Sequence, residues 1–254
     1  MNFATANGIR IAYGRRGDGM PLVLLHGYPL DHTIWDDVAP LLAGSFDLIL
    51  PDLRGFGQSE AVDAVYAMAD MAADVAALLD YLKVEKAVIA GHSMGGYVAL
   101  AFTRAYPQRA LGLGLVSSQA LADTPERKEG RYATAAQIAE KGVAVVAEAM
   151  PAKLSPDAGV QVRVRDLIEK QNPAGLIGAL KAMAERPDST PLLSGFKLPL
   201  VGVHGLADEL IPVERAREAK VLVPHARLVE LPGVGHMPMM EVPEEVAEAL
   251  KLLL

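Results

Sequence analysis

Short runs of consecutive apolar residues recur along the chain with helical segments between them, and this alternation limits the fold more than any other feature. The runs lie at residues 22–25, 48–50, 87–90, 111–116, 200–203 and 228–231. A run without polar alternation is typical of a strand buried on both faces of a sheet. Apolar residues at three- and four-residue spacing, as at 71–82 and 94–106, indicate helices between the strands. The alternation predicts an α/β protein with a doubly wound, mostly parallel sheet.

Two segments depart from this alternation. Near the start, residues 9–13 alternate between apolar and polar or small after the turn signal Asn7-Gly8, which predicts an antiparallel N-terminal hairpin. Between residues 119 and 196 no strand pattern occurs. Helical patterns there, at 132–140, 143–150, 159–170 and 174–185, are separated by glycine or proline. We therefore predict a core of residues 1–118 and 197–254 that carries an inserted helical cap at residues 119–196.

The composition excludes several classes of function. Lys and Arg number 24 against 31 Asp and Glu, a net charge of −7 that disfavours binding to nucleic acid or an anionic membrane, so we expect neither partner. The absence of cysteine excludes a thiolate nucleophile and a Cys-ligated metal. No secretory signal is evident at the start, and no apolar run approaches the ~20 residues that span a bilayer. We therefore expect a cytoplasmic protein.

The most specific local motif is Gly91-His92-Ser93-Met94-Gly95, which lies directly after a predicted strand and directly before a predicted helix. In this context Gly-x-Ser-x-Gly is typical of a tight turn in which glycines leave room for a strained backbone. Such a turn exposes the serine hydroxyl at the carboxyl end of the sheet, beside the free N–H groups of a helix N-terminus. Ser93 is therefore the candidate nucleophile.

With this motif the chain resembles the α/β-hydrolase family, and the resemblance extends over essentially its whole length. Four further landmarks follow predicted strands in the expected places: His26-Gly27-Tyr28-Pro29, the turn at residues 52–59, Asp208 and His236. The order Ser, Asp, His along the chain is that of this fold. The resemblance implies a serine esterase-like enzyme of the carboxylesterase, enol-lactonase or perhydrolase branch.

Each candidate residue has a chemical role. Ser93 needs a base, and His236 can take its proton and return it. Asp208 would accept a hydrogen bond from the other imidazole nitrogen and fix the tautomer. The backbone N–H groups of Tyr28 and Met94 would hold the oxyanion of the tetrahedral intermediate. The second donor, Tyr28, lies in a loop that lacks the Gly-Gly-Gly sequence usual in lipases.

Some assignments have alternatives. Asp208 could instead cap a helix, and some members of the family place the acid after the preceding strand, where Asp123 is the candidate. Asp52 and Arg54 could form a substrate clamp, but a salt-bridged turn that braces the oxyanion loop is favoured. Neither a nucleotide-binding glycine pattern nor a metal-binding histidine pair occurs in the sequence, so we expect no cofactor and no metal.

The sequence favours hydrolysis of a small or medium carboxylic ester through an acyl-enzyme on Ser93. The same triad also serves enol-lactonases, C–C bond hydrolases and cofactor-free perhydrolases, and these alternatives stay open. A third possibility from another class is a non-catalytic relative that binds a small ligand. In the predicted cap, Met150, Leu154, Leu176 and Met183 are candidates for the wall of an apolar pocket.

Overall fold

A computed structural model describes residues 1–62 and 64–254 and contains one mixed β-sheet. Eight strands are found in the described residues: β1 (Asn2–Ala6), β2 (Ile9–Arg16), β3 (Met20–Leu25), β4 (Phe46–Pro51), β5 (Ala87–His92), β6 (Ala110–Val116), β7 (Leu200–Gly205) and β8 (Arg227–Leu231). Their order in the sheet is β1-β2-β4-β3-β5-β6-β7-β8. β2 pairs antiparallel with β1 and β4, and all other pairs are parallel. The predicted hairpin and the mostly parallel α/β sheet are therefore confirmed.

Helices cover both faces of the sheet and the carboxyl ends of its strands. The described residues form α1 (Ala39–Leu42), α2 (Met68–Tyr81), α3 (Met94–Ala105), α4 (Pro125–Lys141), α5 (Ala144–Ala149), α6 (Pro151–Leu154), α7 (Ala158–Glu169), α8 (Pro173–Ala184), α9 (Thr190–Leu193), α10 (Glu214–Leu222), α11 (Pro238–Glu241) and α12 (Pro243–Lys251). None of the helices in the described residues has both the length and the apolarity that a transmembrane span requires.

The central strands are apolar throughout because both of their faces are covered. Every residue of β4, β5 and β7 is buried. The last strand differs: β8 has an exposed first residue and three half-buried residues before Leu231. The prediction that this run is buried on both faces was wrong, because β8 pairs only with β7 and lies at the edge of the sheet.

Six helices, α4 to α9, lie between β6 and β7, where the sequence predicts four. The first begins at Pro125 rather than at Tyr132, because its opening turns are polar and carry no apolar period. Thr124 caps this helix by accepting a hydrogen bond from the Arg127 N–H at 3.3 Å. Pro151 separates helices in the prediction but occupies the first turn of α6, a position that tolerates its missing N–H.

Candidate active site

Ser93 lies on a strained turn between β5 and α3. Its backbone has φ 49° and ψ −112°, a left-handed conformation rare for a residue with a side chain. The flanking glycines permit it: a Cβ on Gly91 would lie 2.1 Å from the Gly95 carbonyl carbon. A Cβ on Gly95 would lie 2.5 Å from the Leu25 carbonyl oxygen. The turn therefore needs glycine at both positions, as the motif predicts.

The loops after β7 and β8 bring Asp208 and His236 together. The His236 Nδ1 lies 2.7 Å from the Asp208 Oδ2, and both side chains are almost completely buried. The other carboxylate oxygen, Oδ1, accepts hydrogen bonds from the backbone N–H groups of Leu210 at 2.9 Å and Ile211 at 3.0 Å. The carboxylate is thus fixed on one side by backbone and offers its other oxygen to the imidazole.

The surroundings of Asp208 keep it ionised. Burial favours the neutral acid, but the positive charge available on His236 and hydrogen bonds from His204, His236 and Ile211 outweigh burial. Together they hold the pKa of the Asp208 carboxyl well below its ordinary value. At neutral pH the group is a carboxylate, so His236 Nδ1 must be the donor in their hydrogen bond.

Two other histidines support the site. The His92 Nε2 donates a hydrogen bond to the His236 carbonyl oxygen at 2.8 Å and so holds the backbone of the histidine loop. His26 links the loop after β3 to the turn after β4, because its Nε2 accepts the Leu53 N–H at 2.9 Å. Burial lowers the pKa of both imidazoles, so they are neutral at pH 7.

Ser93 and His236 line the same cavity, which has a volume of about 430 Å³. Within the described chain no hydrogen bond joins the Ser93 hydroxyl to the imidazole, and such contacts commonly tighten when substrate binds. Tyr28 also lines the cavity, and Met94 is the first residue of α3. The Met94 N–H therefore has no acceptor inside its helix.

The alternative acid, Asp123, has other partners. Its carboxylate pairs with Arg131 and, at 2.8 Å, with the Arg186 Nη1. The carboxylate hydrogen-bonded to His236 is that of Asp208, so the geometry favours Asp208 over Asp123 as the acid.

The charged side chains of the turn at residues 52–59 are bonded to neighbouring parts of the protein. Asp52 accepts hydrogen bonds from the His32 backbone N–H at 3.0 Å and from its Nδ1 at 2.6 Å. Arg54 forms a buried ion pair with Asp74 at 2.6 Å. These contacts are those of a bracing turn rather than of a substrate clamp.

One cluster in the described residues has metal-ligating groups. Asp31, His32 and Asp52 each place one ligand atom within 4.8 Å of the others. The Asp52 carboxylate is already engaged by His32, and Asp31 accepts hydrogen bonds from the Thr33 N–H at 3.0 Å and hydroxyl at 2.6 Å. These hydrogen bonds already occupy carboxylate oxygens that a cation would need, so the three residues form a structural network and a poor cation site.

The cavity wall is only partly as predicted. Met150 and Met183 line the cavity, whereas Leu154 and Leu176 are buried in helix packing and do not. The sequence analysis missed the polar part of the wall, which includes Arg127, Arg131, Thr134, Gln137 and Lys153. The spacing of residues 127, 131 and 134 places them on one face of α4, a signal visible only once the helix is known to begin at Pro125.

Comparison with known proteins agrees with this architecture. Residues 20–243 match the family model of the alpha/beta hydrolase fold. The solved structure of a thermophilic esterase from Thermogutta terrifontis, with malate bound, is 37% identical with a TM-score of 0.94, covering 98% of this chain and 96% of that one. A pimeloyl-[acyl-carrier protein] methyl ester esterase from Edwardsiella ictaluri is 30% identical over 90% of this chain and 91% of its own length.

A longer relative is the dihydrolipoyllysine-residue acetyltransferase component of the acetoin cleaving system from Pseudomonas putida. It is 31% identical over 91% of this chain, but the match spans only 62% of the relative's length. The family match, by contrast, extends from β3 to the start of α12. The sheet order, the strained serine turn and this match agree, and the chain belongs to the α/β-hydrolase fold family.

Proposed function

We propose that the protein is a serine hydrolase that cleaves carboxylic esters through an acyl-enzyme on Ser93. The observation that carries the proposal is the Asp208–His236 pair, 2.7 Å apart, beside a cavity that it shares with a serine on a strained turn. A buried carboxylate, an imidazole and a half-buried hydroxyl that lines the cavity form the set of groups that nucleophilic acyl transfer requires.

In the first half-reaction His236 accepts the Ser93 proton while the hydroxyl oxygen attacks the ester carbonyl carbon. The tetrahedral intermediate collapses as His236 passes the proton to the leaving alcohol, and the acyl group stays on Ser93. Water then attacks the acyl carbon by the same route, which releases the acid and restores the serine. Asp208 stabilises the imidazolium in both halves and takes no proton, since its pKa is held low.

The oxyanion would be held by the backbone N–H groups of Met94 and Tyr28. Met94 follows the nucleophile at the start of α3, so the partial positive charge of the helix N-terminus adds to its hydrogen bond. Each such donor contributes on the order of 3 kcal/mol to transition-state stabilisation.

Residues 119–196 would act as a lid on a catalytic core of residues 1–118 and 197–254. In support, helices α4, α5 and α8 supply wall residues of the cavity, among them Val146 and Met183, and Met150, directly after α5, also lines it. These side chains provide an apolar surface for part of the substrate. A small or medium ester fits a cavity of about 430 Å³.

The decisive experiment combines labelling and kinetics. A p-nitrophenyl phosphonate should add one phosphonyl group to Ser93 and abolish hydrolysis of p-nitrophenyl butyrate. The S93A variant should remain unlabelled and lose at least about 10⁴-fold in kcat. The control S194A, which removes an exposed serine, should behave as the unaltered protein. An S93A variant with normal esterase rates would overturn the proposal.

Assays of the same protein on other substrates distinguish the alternatives that share the triad. A panel of p-nitrophenyl esters, lactones and peracid-forming mixtures distinguishes an esterase from a lactonase or a perhydrolase. Labelling of Ser93 without turnover on any of them, together with binding of a small ligand, would instead indicate a non-catalytic relative.

A further inference from the structure

One wall of the cavity is cationic. Arg127, Arg131 and Lys153 line it, and among the lining residues in the described chain there is no aspartate or glutamate. The chain as a whole has a net charge of −7, so the positive charge of this wall is opposite in sign to that of the protein. A cationic wall beside a nucleophile attracts an anionic substrate.

Arg131 is incompletely satisfied by its protein partners. Its Nε and Nη2 contact the Asp123 carboxylate, the latter at 3.4 Å. Its Nη1 faces the Met183 sulfur at 3.4 Å, and a thioether is a weak acceptor. The side chain is only 16% exposed, so water replaces few of the missing partners. An acceptor from a bound molecule would complete the hydrogen bonding of this guanidinium.

Asp123 cannot neutralise the arginines around it, because three guanidinium groups share its single carboxylate. Arg186 lies 2.8 Å and Arg127 3.9 Å from Asp123 Oδ1, in addition to the contact with Arg131. Arg186 has further partners in the carbonyl oxygens of Met183 and Leu121, each at 2.9 Å, and it does not line the cavity. One carboxylate against three guanidiniums leaves two positive charges. Of the two arginines that line the cavity, Arg127 also donates to the Leu210 carbonyl oxygen at 3.1 Å, whereas Arg131 has, besides Asp123, the weak acceptor of the Met183 sulfur.

The Tyr28 hydroxyl gives a second, independent indication. Tyr28 lines the same cavity and is 8% exposed, and its hydroxyl has no hydrogen-bond partner among the described residues. Burial raises its pKa and the nearby charge of Arg131 opposes this effect, so the hydroxyl stays protonated and can donate. A buried donor without an acceptor costs free energy unless a ligand supplies one.

We infer that the cavity binds esters that carry a second, ionised carboxylate, with Arg131 and Arg127 as its recognition site. The inference rests on the proposed function and names its substrate class: half-esters of short dicarboxylic acids. The guanidinium fork matches a carboxylate in geometry and charge. Ser93 would attack the ester end while the arginines hold the acid end, and water would release the dicarboxylate after the alcohol has left.

The test compares a half-ester with a neutral ester of similar size. The unaltered protein should hydrolyse monomethyl glutarate with a kcat/KM at least about tenfold above that for methyl valerate, since only the half-ester offers a carboxylate to the guanidinium donors. R131Q and R127Q should each lower the ratio of kcat/KM for monomethyl glutarate to kcat/KM for methyl valerate by at least about tenfold. The control K128Q removes a cation that pairs with Glu185 outside the cavity and should keep the preference.

A binding experiment keeps the inference separate from the esterase proposal. Glutarate should bind S93A in calorimetry at low salt, and the same variant with R131Q added should bind at least about tenfold more weakly. If no ester is hydrolysed but this binding depends on Arg131, the esterase proposal fails and the carboxylate site stands. If esters are hydrolysed without preference, or R131Q and R127Q keep the preference, the carboxylate site is refuted and the esterase proposal stands.

Discussion

Replacing Asp208 with asparagine tests the acid of the site through the orientation that the backbone imposes on the new amide. Oδ1 accepts two backbone N–H groups, from Leu210 at 2.9 Å and Ile211 at 3.0 Å. The amide must keep its oxygen there, because the reversed amide would lose both hydrogen bonds and set its NH₂ against two donors, at about 1–3 kcal/mol for each unsatisfied group. The NH₂ therefore faces His236 Nδ1, 2.7 Å away.

This orientation forces the wrong tautomer of His236. With a donor opposite it, Nδ1 must accept, so the imidazole proton moves to Nε2 and the nitrogen that should take the Ser93 proton has no lone pair. The imidazolium also loses its carboxylate partner. We expect kcat to fall about 10⁴-fold, or ~5.5 kcal/mol in activation free energy, while folding is retained because the shape and backbone contacts persist.

The assay measures kcat for p-nitrophenyl butyrate at pH 8 together with the melting temperature. D157N is the matched control, since Asp157 caps α7 through the Val160 N–H and asparagine caps equally well. D123N reports on the alternative acid and should stay within about tenfold of the unaltered protein on this neutral ester. A D208N variant that keeps more than a tenth of the activity, or an equal loss in D123N, would refute the reasoning.

Three other predictions concern stability and are measured by urea unfolding. G91A should lower the free energy of unfolding by at least about 3 kcal/mol, since its Cβ would lie 2.1 Å from the backbone of Gly95. G44A, whose Cβ would meet no atom within 4 Å, should change the free energy of unfolding by less than about 0.5 kcal/mol, and equal effects of the two substitutions would contradict this reasoning. R54M should lower the free energy of unfolding by about 3–5 kcal/mol because it leaves the buried Asp74 carboxylate without its counterion, and an unchanged midpoint would count against it. Burial lowers the pKa values of His26 and His92, so below pH ~6.5 the unfolded chain binds more protons at these two positions than the folded protein does. The contribution of the two histidines to stability is therefore full above that pH and should fall by up to about 1.4 kcal/mol per pH unit per histidine on acidification. A free energy of unfolding that stays constant from pH ~6.5 to ~5.5 would be the contrary result.

The sequence was most informative where the chemistry depends on backbone geometry. Gly91 and Gly95 predict the turn at Ser93 because no other residue fits against the neighbouring backbone. Asp208 and His236 follow predicted strands, and parallel strands bring such loops to one edge of the sheet. The contact between them could therefore be anticipated, although its distance could not.

The cavity wall was harder to predict, because it depends on how helices pack rather than on local pattern. Met150 and Leu176 are both apolar and both lie in the segment between β6 and β7, yet only Met150 reaches the cavity. Arg131 carries no sequence signal of its own, since a charged residue on a polar helix is usually solvated. Its burial beside Asp123 follows from the tertiary position of α4.

Two backbone contacts that anchor the segment between β6 and β7 use no residue of that segment that lines the cavity. The Leu154 carbonyl oxygen accepts the His236 N–H at 2.9 Å, so the end of α6 holds the histidine loop through backbone atoms. On the other side, Gly55 and Gly175 meet backbone to backbone, at a distance that leaves no room for a Cβ.

Neither anchor uses a side chain that faces the substrate. Wall residues such as Arg131 can therefore change between relatives while the segment stays bound to the histidine loop. A substitution near Leu154, by contrast, reaches His236 directly and should lower kcat for all esters alike, whereas one at Arg131 should alter the ratio between charged and neutral esters.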